Sequence, residues 1–334
     1  MKKVNWGIIG CGKVVQTKSG PAFNTVPNSS IFAVCRREAA SAQVCAEALN
    51  AEKFYADYKE LVKDVNVHAI YLASPPGLHY EQALYCAKNK KPTYVEKPFA
   101  RNFLECQKIV SAFQEEGVPL YVAHYRRALP KFLKIKELLD DHVIGDIYTF
   151  ECNLSRIFED DEKHDWMFMP SLSGGGKFFD IAPHMIDILI FLFGKVSQVN
   201  AYCKNINKIH NLEEIVVAII EMENNILGTL NFNLTSDCKK DQVTIRGRHG
   251  EIIFSIHGSS PIAISKNNKT IEEISVENPE YLPEPMIKYV VDDLINRNPL
   301  VCHGVDALET YRVIDMILND YYGGRDRDFW VDYR

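Results

Sequence analysis

The chain has 334 residues, 46% of them hydrophobic and 25% charged, with a formal net charge of −6. That length suits about two domains with substantial cores, and the interspersed acids and bases exclude both a nucleic-acid footprint and a polybasic membrane anchor. The nine cysteines are scattered, with no C-x-x-C pair and no Cys/His cluster at zinc spacing, and are expected to be reduced thiols, mostly small core residues. Met1-Lys2-Lys3 looks like the n-region of a signal peptide. Asn5, Gly7, Gly10 and Gly12 interrupt the stretch after it, no apolar h-region forms, and a cytoplasmic protein is expected. The longest apolar run, Ile188-Leu189-Ile190-Phe191-Leu192-Phe193, is too short to span a bilayer.

Residues 4–9 read as a short buried strand. Gly10-Cys11-Gly12 comes next, then a helix opening at Lys13 and Val14. A glycine turn between strand and helix lets the backbone approach a pyrophosphate, and the helix N-terminus favours its charge. Val15 stands where the third Gly of G-x-G-x-x-G would fall, so this turn alone is weak evidence. The second strand, 31–34, ends at Cys35-Arg36-Arg37-Glu38. Two adjacent Arg suit a ribose 2′-phosphate, because guanidinium matches phosphate geometry, and favour NADP over NAD. Glu38 is the counter-evidence, since it could reach a ribose hydroxyl.

Helices are expected over 39–49 and 58–62. Residues 69–73 are apolar throughout, as in a parallel sheet covered on both faces. They end in Ser74-Pro75-Pro76-Gly77-Leu78-His79, ahead of a helix over 80–88. His79 reads either as a capping or core histidine or as a cofactor neighbour. The strand 93–96 carries Lys97 at its end, where Pro98 stops pairing and pushes Lys97 out of helical geometry. A partly desolvated lysine there can act as acid, base or electrophile; the plainer alternative is a solvated lysine in a turn. A helix over 102–116, stopped by Gly117, and a strand over 120–123 complete an alternation that indicates a parallel α/β sheet.

After Tyr125-Arg126-Arg127 the pattern changes. A helix over 130–141 precedes strands at 147–156, 196–203, 215–222, 226–234, 242–246 and 251–256, with hairpin turns at Asn224-Asn225 and His249-Gly250. This is a mostly antiparallel sheet. Residues 215–220 are apolar on both faces, and a partner subunit is a candidate to cover the second one. Helices at 284–296 and 305–321 close the chain. Between the first two of these strands, Ser173-Gly174-Gly175-Gly176 precedes a helix over 178–193. Asp180 and His184 lie four apart on one face of it, and Asp187 continues the row. Histidine is best poised to move a proton near neutral pH, and a neighbouring carboxylate fixes its tautomer; a surface salt bridge is the alternative. The glycine run would let the helix start approach a ligand or another domain closely. With no H-E-x-x-H and no third ligand, no metal site is expected.

Taken together, Gly7-Ile8-Ile9-Gly10-Cys11-Gly12, Ser74-Pro75-Pro76-Gly77-Leu78-His79, Glu96-Lys97-Pro98, and Gly174-Gly175-Gly176 followed by Asp180 and His184 resemble the glucose–fructose oxidoreductase/inositol dehydrogenase (Gfo/Idh/MocA) family over nearly the whole chain. The last two motifs, in this order and spacing, are the specific ones. The resemblance implies an α/β protein: a Rossmann domain with a doubly wound parallel sheet over 1–124, then a substrate-binding and oligomerisation domain with a large, mostly antiparallel open sheet over 125–334. It implies NADP or NAD held by Gly10, Gly12, Lys13, Val14, Arg36, Arg37, Ser74, Pro75, Pro76, His79, Glu96 and Lys97. A cleft between the domains would bring Lys97 and His184 together, and a cis Lys–Pro bond is common in this motif.

The implied substrate site holds Lys97, Tyr125, Arg126, Trp166, Asp180 and His184. His184 would be the principal acid/base, Lys97 would hydrogen-bond the reacting oxygen or share the proton relay, and Asp180 would orient a substrate hydroxyl or His184. Which of Lys97 and His184 transfers the proton stays open. The loop 156–172, with His164, Asp165 and Trp166, would shape specificity. The expected activity is hydride transfer between nicotinamide and a hydroxyl or carbonyl carbon of a sugar, cyclitol or related polyol, in a homodimer or tetramer formed through the open sheet. Two alternatives carry the same resemblance. One is glycoside hydrolysis on bound NAD, which cofactor turnover would separate; the other is a non-catalytic cofactor-binding regulator, against which the intact Lys97, Asp180 and His184 set argues.

Overall fold

Aliphatic runs too short for helices, punctuated by glycine, proline and helix caps, build the first sheet of the computed structural model. The structure describes residues 2–157, 165–208, 210–267, 269–296 and 302–332. The chain divides into two compact units, residues 1–129 with 279–308 and residues 130–278 with 309–334. The 3₁₀ turn Tyr125–Ala128 lies in the first unit, and a later segment returns to it.

The first unit holds strands β1 (Val4–Ile9), β2 (Ser29–Cys35), β3 (Lys53–Tyr55), β4 (Ala69–Leu72), β5 (Thr93–Val95) and β6 (Leu120–Val122). All pair in parallel, in the order β3-β2-β1-β4-β5-β6. Helices α1 (Gly20–Thr25), α2 (Ala39–Leu49), α3 (Tyr58–Lys63), α4 (Pro76–Lys88) and α5 (Phe103–Glu116) alternate with them. Every residue of β4, β5 and β6 is buried, as parallel strands covered on both faces must be. The β3 strand escapes a sequence reading because its three residues are mostly exposed and carry no apolar pattern. Asp57 and Asn102 cap α3 and α5 by accepting the N–H of Lys59 and Glu105, and left-handed Asn50 and Gly117 end α2 and α5. Phe23 of α1 sits in an aromatic row over the sheet, 4.9 Å from Trp6 and 4.8 Å from Tyr71 between ring centroids. The backbone after Gly12 is helical as anticipated, but Val15–Ser19 is a π turn before α1. Cys11, turned inward after Gly10, faces Cys45 of α2 with Cα atoms 6.6 Å apart.

The second unit opens with α6 (Pro130–Asp140), followed by β7 (Ile147–Ser155), α7 (Pro170–Ser173) and α8 (Lys177–Phe193). Next come β8 (Val196–Lys204), β9 (Ile215–Met222), β10 (Leu227–Asn233), β11 (Lys240–Gly247), β12 (Gly250–Phe254), β13 (Ile262–Lys266) and β14 (Lys269–Ile274). The eight strands run in the order β14-β13-β12-β11-β7-β10-β9-β8, antiparallel except for the β7–β10 pair. The second hairpin turn is Arg248-His249, one residue earlier than expected, because Gly247 pairs with Gly250. One sheet face is covered by α8: Phe178 packs on Phe232 and Phe193 stacks on Phe150, each at 5.1 Å between centroids. Along β9, Val216, Ala218 and Ile220 are buried on that face, while Val217 (45%) and Ile219 (51%) are exposed on the other. The chain then returns to the first unit as α9 (Glu284–Asn296), and α10 (Gly304–Tyr322) comes after it. Among the described residues no helix is long and apolar enough to cross a membrane.

Candidate active site

In the first unit the expected cofactor residues lie at the C-terminal ends of parallel strands, where such sheets hold ligands. Gly10 follows β1, Arg36 and Arg37 follow β2, Ser74 follows β4, and Glu96-Lys97 follow β5. Backbone bonds tie these ends together: Gly10 N donates to Cys35 O (3.1 Å), Ala73 N to Ile9 O (2.8 Å), and Glu96 N to Leu72 O (2.8 Å). Gly10 has φ +90°, and a Cβ there would lie 2.3 Å from the Ser74 nitrogen, so only glycine fits. Over Gly12 the space is open: a Cβ would meet nothing within 4 Å, and Lys13 and Val14 beside it are exposed. That open cradle at a helix start fits the pyrophosphate of a dinucleotide. Arg37 and Glu38 are exposed and Arg36 is half-buried. The Glu38 carboxylate accepts the Ser41 hydroxyl at 3.1 Å.

Lys97 is half-buried, and its bond to Pro98 is cis. The preceding Glu96 carboxylate accepts the Lys97 N–H at 3.0 Å and the hydroxyl of Tyr71. Burial, with the Glu96 charge, holds that phenol protonated. His79 corrects an expectation. Its ring is fully buried, with Nε2 2.7 Å from Ser74 O and Nδ1 3.0 Å from Phe99 O. Both nitrogens face backbone carbonyls, so the ring braces the Ser74 turn against the Lys97-Pro98-Phe99 segment and offers a cofactor no polar atom. Desolvation pushes its pKa down to about 4 despite these carbonyls, so the ring is neutral and donates to one of them at a time. Tyr125 and Arg126 occupy the 3₁₀ turn after β6, with the buried Arg126 guanidinium 5.4 Å from the Tyr125 ring centroid.

In the second unit α8 carries Asp180, half-buried, and His184, buried one turn later. Asp187 does not continue the functional row: it is buried and accepts the Thr310 hydroxyl of α10 at 3.2 Å. The glycine run serves a different partner from the one anticipated. Glu213, 1% exposed, accepts Gly176 N at 2.9 Å and Phe179 N at 3.1 Å, as well as the Tyr322 hydroxyl. A Cβ on Gly176 would sit 2.8 Å from the Glu213 Oε2. The α8 N-terminus is therefore occupied by a carboxylate of the chain itself. Burial raises the Glu213 pKa, against the Tyr322 hydroxyl and the Phe179 N–H, which favour the anion. Buried Arg325 completes the clamp, donating to Gly174 O (2.9 Å) and Asp315 Oδ1 (2.6 Å) with its cation over Phe179 at 4.8 Å. Trp166 is half-buried in the 3₁₀ turn Asp165–Phe168; His164 lies outside the described residues.

One further group carries no signal in the sequence. The His257 ring, exposed in the loop after β12, lies 5.9 Å from the His184 ring between centroids. Among the described residues no three His, Cys, Asp or Glu side chains gather as a metal site.

A six-stranded parallel sheet with its glycine turn and loaded strand ends, followed by an open sheet covered by a helix that carries a buried histidine, fits a dinucleotide-dependent α/β oxidoreductase. A family model for the GFO_IDH_MocA oxidoreductase family, NAD-binding Rossmann fold, matches residues 4–124, and one for the GFO/IDH/MocA C-terminal domain matches residues 132–253. The chain is 36% identical over 319 residues to Oxidoreductase P35 of Formosa agariphila, covering 94% of this chain and 98% of that protein. It is 28% identical over 212 residues to the levoglucosan dehydrogenase of Pseudarthrobacter phenanthrenivorans, covering 60% of this chain and 54% of that protein. A solved levoglucosan dehydrogenase in complex with NADH and levoglucosan shares the fold, with a TM-score of 0.85 at 20% identity over 96% of this chain and 98% of that one. The chain belongs to the Gfo/Idh/MocA oxidoreductase family and is an NAD(P)-dependent oxidoreductase.

Proposed function

We propose that the protein is an NADP-preferring dehydrogenase acting on a sugar, cyclitol or related polyol. The observation that carries this reading is the set of strand ends in the first unit, with the Gly10–Gly12 turn, the Arg36-Arg37 pair and Lys97 at three of them. When bound, the cofactor supplies or accepts the hydride. Gly10, Gly12, Lys13 and Val14 cradle its pyrophosphate, with the Ser74-Pro75-Pro76 turn beside them. Arg36 and Arg37 hold a ribose 2′-phosphate. Engagement of Glu38 with Ser41 supports this choice over a ribose hydroxyl contact. Lys97 donates to the reacting oxygen, His184 takes or returns its proton, and Asp180, one turn earlier, orients the imidazole or a substrate hydroxyl. Tyr125, Arg126 and Trp166 contribute to substrate binding. The names of relatives, levoglucosan dehydrogenase and trans-1,2-dihydrobenzene-1,2-diol dehydrogenase of Mus musculus, support a hydroxylated substrate. The exposed apolar row on the open sheet supports a homodimer or tetramer.

The test has two parts. Fluorescence titration should show NADPH binding tighter than NADH, and Arg36→Ala/Arg37→Ala should abolish the difference; NADH preference untouched by the variant points to Glu38 instead. Oxidation of levoglucosan, myo-inositol and D-glucose is then followed at the nicotinamide absorbance. His184→Ala should lower kcat by roughly 100-fold or more, the usual scale of general acid–base catalysis, with cofactor affinity retained. A His184→Ala enzyme of parental kcat sinks the assignment.

A further inference from the structure

The loop after β12 is held more firmly than a connection between two strands needs. Asp241 of β11 accepts three successive backbone N–H groups, from Ile256 (3.0 Å), His257 (2.7 Å) and Gly258 (2.7 Å). From the other direction comes Lys131, 5% exposed, in the first turn of α6. Its ammonium donates to the Ser255 hydroxyl (2.9 Å) and to the carbonyls of Ser260 (3.0 Å) and Gly258 (3.3 Å). The Ser260 hydroxyl donates to Ser255 Oγ at 2.7 Å. Burying an ammonium costs several kcal/mol unless its donors are satisfied, and here all the named acceptors belong to this one loop. The outcome is a rigid turn with an exposed imidazole at its tip, beside the largely buried ring of His184. Locked backbone under an exposed polar side chain is how a binding group is preorganised. Two imidazoles this close, one facing solvent, address neighbouring oxygens of one small ligand.

We propose that His257 is a substrate-binding residue of the site that contains His184, hydrogen-bonding a hydroxyl next to the one that reacts, with Asp241 and Lys131 as its positioning residues. The inference rests on the reading of His184 as the acid/base group. It assigns the substrate a second hydroxyl near the reacting carbon, so simple monohydric alcohols are poor substrates.

The experiment uses the full-length enzyme saturated with cofactor, and levoglucosan, myo-inositol and D-glucose as probes. For the probe that turns over best, His257→Ala should raise KM about tenfold and change kcat less than about threefold, the signature of lost uniform binding. His257→Gln, which keeps a hydrogen-bonding tip, should recover most of the loss. Asp241→Asn should raise KM in the same direction and lower the thermal midpoint, since the amide keeps one acceptor oxygen for three backbone N–H groups. A KM within twofold of the parent in both His257 variants overturns the inference and leaves the role of His184 standing. Parental kcat in His184→Ala overturns the acid/base reading and this inference with it, as does failure of all three probes to bind. Should the His257 variants not fold, diethyl pyrocarbonate modification of the parent decides. Protection of His257 by the best-binding probe, read by peptide mass, supports the inference, and unchanged modification overturns it.

Discussion

His79 shows how a histidine can matter beside a cofactor turn without touching the cofactor. Its ring joins the carbonyls of Ser74 and Phe99, so it sets the distance between the β4 and β5 strand ends. With the folded pKa near 4 and the ordinary value at 6.5, the unfolded chain binds the extra proton between those two values. Stability should therefore fall as the pH is lowered from about 6.5 to about 4, by something on the order of 3 kcal/mol from this group alone. Urea unfolding at pH 7 and pH 4.5 should show that decline in the parent and a smaller one in His79→Gln. Equal declines would assign the acid sensitivity elsewhere. The sequence leaves His79 open between cofactor neighbour and core because its exposure depends on where Phe99 folds back, twenty positions away. Lys131 carries a plainer signal, one that a search for motifs passes over. It stands on the apolar stripe of α6, in line with Ile135 and Leu138, and a lysine on a core stripe is a buried amine in search of acceptors.

At the scale of elements, α8 carries the proposed acid/base histidine, and its start is built from distant residues. Its apolar side is evident from Phe178 through Phe193, and the four-residue step from Asp180 to His184 needs only helical geometry. Glu213 lies 37 residues beyond Gly176 and Arg325 in the C-terminal segment, and neither spacing follows any helical or strand period. The glycines hint at a close approach but not at its occupant. Glu213→Ala would leave Gly176 N, Phe179 N and the Tyr322 hydroxyl buried without their acceptor. The expected loss is about 3 kcal/mol or more, since each stranded donor costs roughly 1–3 kcal/mol. Glu213→Gln, which keeps one acceptor oxygen, should lose less. Chemical denaturation ranks the two, and equal losses would mean that packing rather than capping holds the helix. The strand ends of the first unit are readable for the opposite reason: each motif is contiguous, and the parallel alternation alone assigns it to the ligand-binding edge.

For the whole molecule, the exposed face of the large sheet is the feature with the widest consequence. Tyr202 (80% exposed) pairs across from Val217, and Ile219 and Leu227 extend the same apolar row. A chain that keeps such a row on its surface is expected to cover it with a second copy. Light scattering behind size exclusion should find a dimer or tetramer. Val217→Lys/Ile219→Lys should shift it to monomer without changing the circular dichroism spectrum; a parental mass in that variant removes the sheet face as the interface. The two-faced apolar pattern of 215–220 announces this surface, whereas the strands β13 and β14 escape a sequence reading because β14 is almost wholly exposed and carries no alternation to detect.

The return of α9 to the first unit has a consequence for biosynthesis. Met286, Ile287, Val290 and Val291 are buried, and their helix packs on α1, β1 and the Tyr125–Ala128 turn. On the ribosome, this helix emerges about 160 residues after β6, which at ordinary elongation speeds is a wait of roughly ten to thirty seconds. Through that interval the nascent dinucleotide-binding sheet shows a greasy flank to its surroundings, and a chaperone that reads such flanks has its opening there.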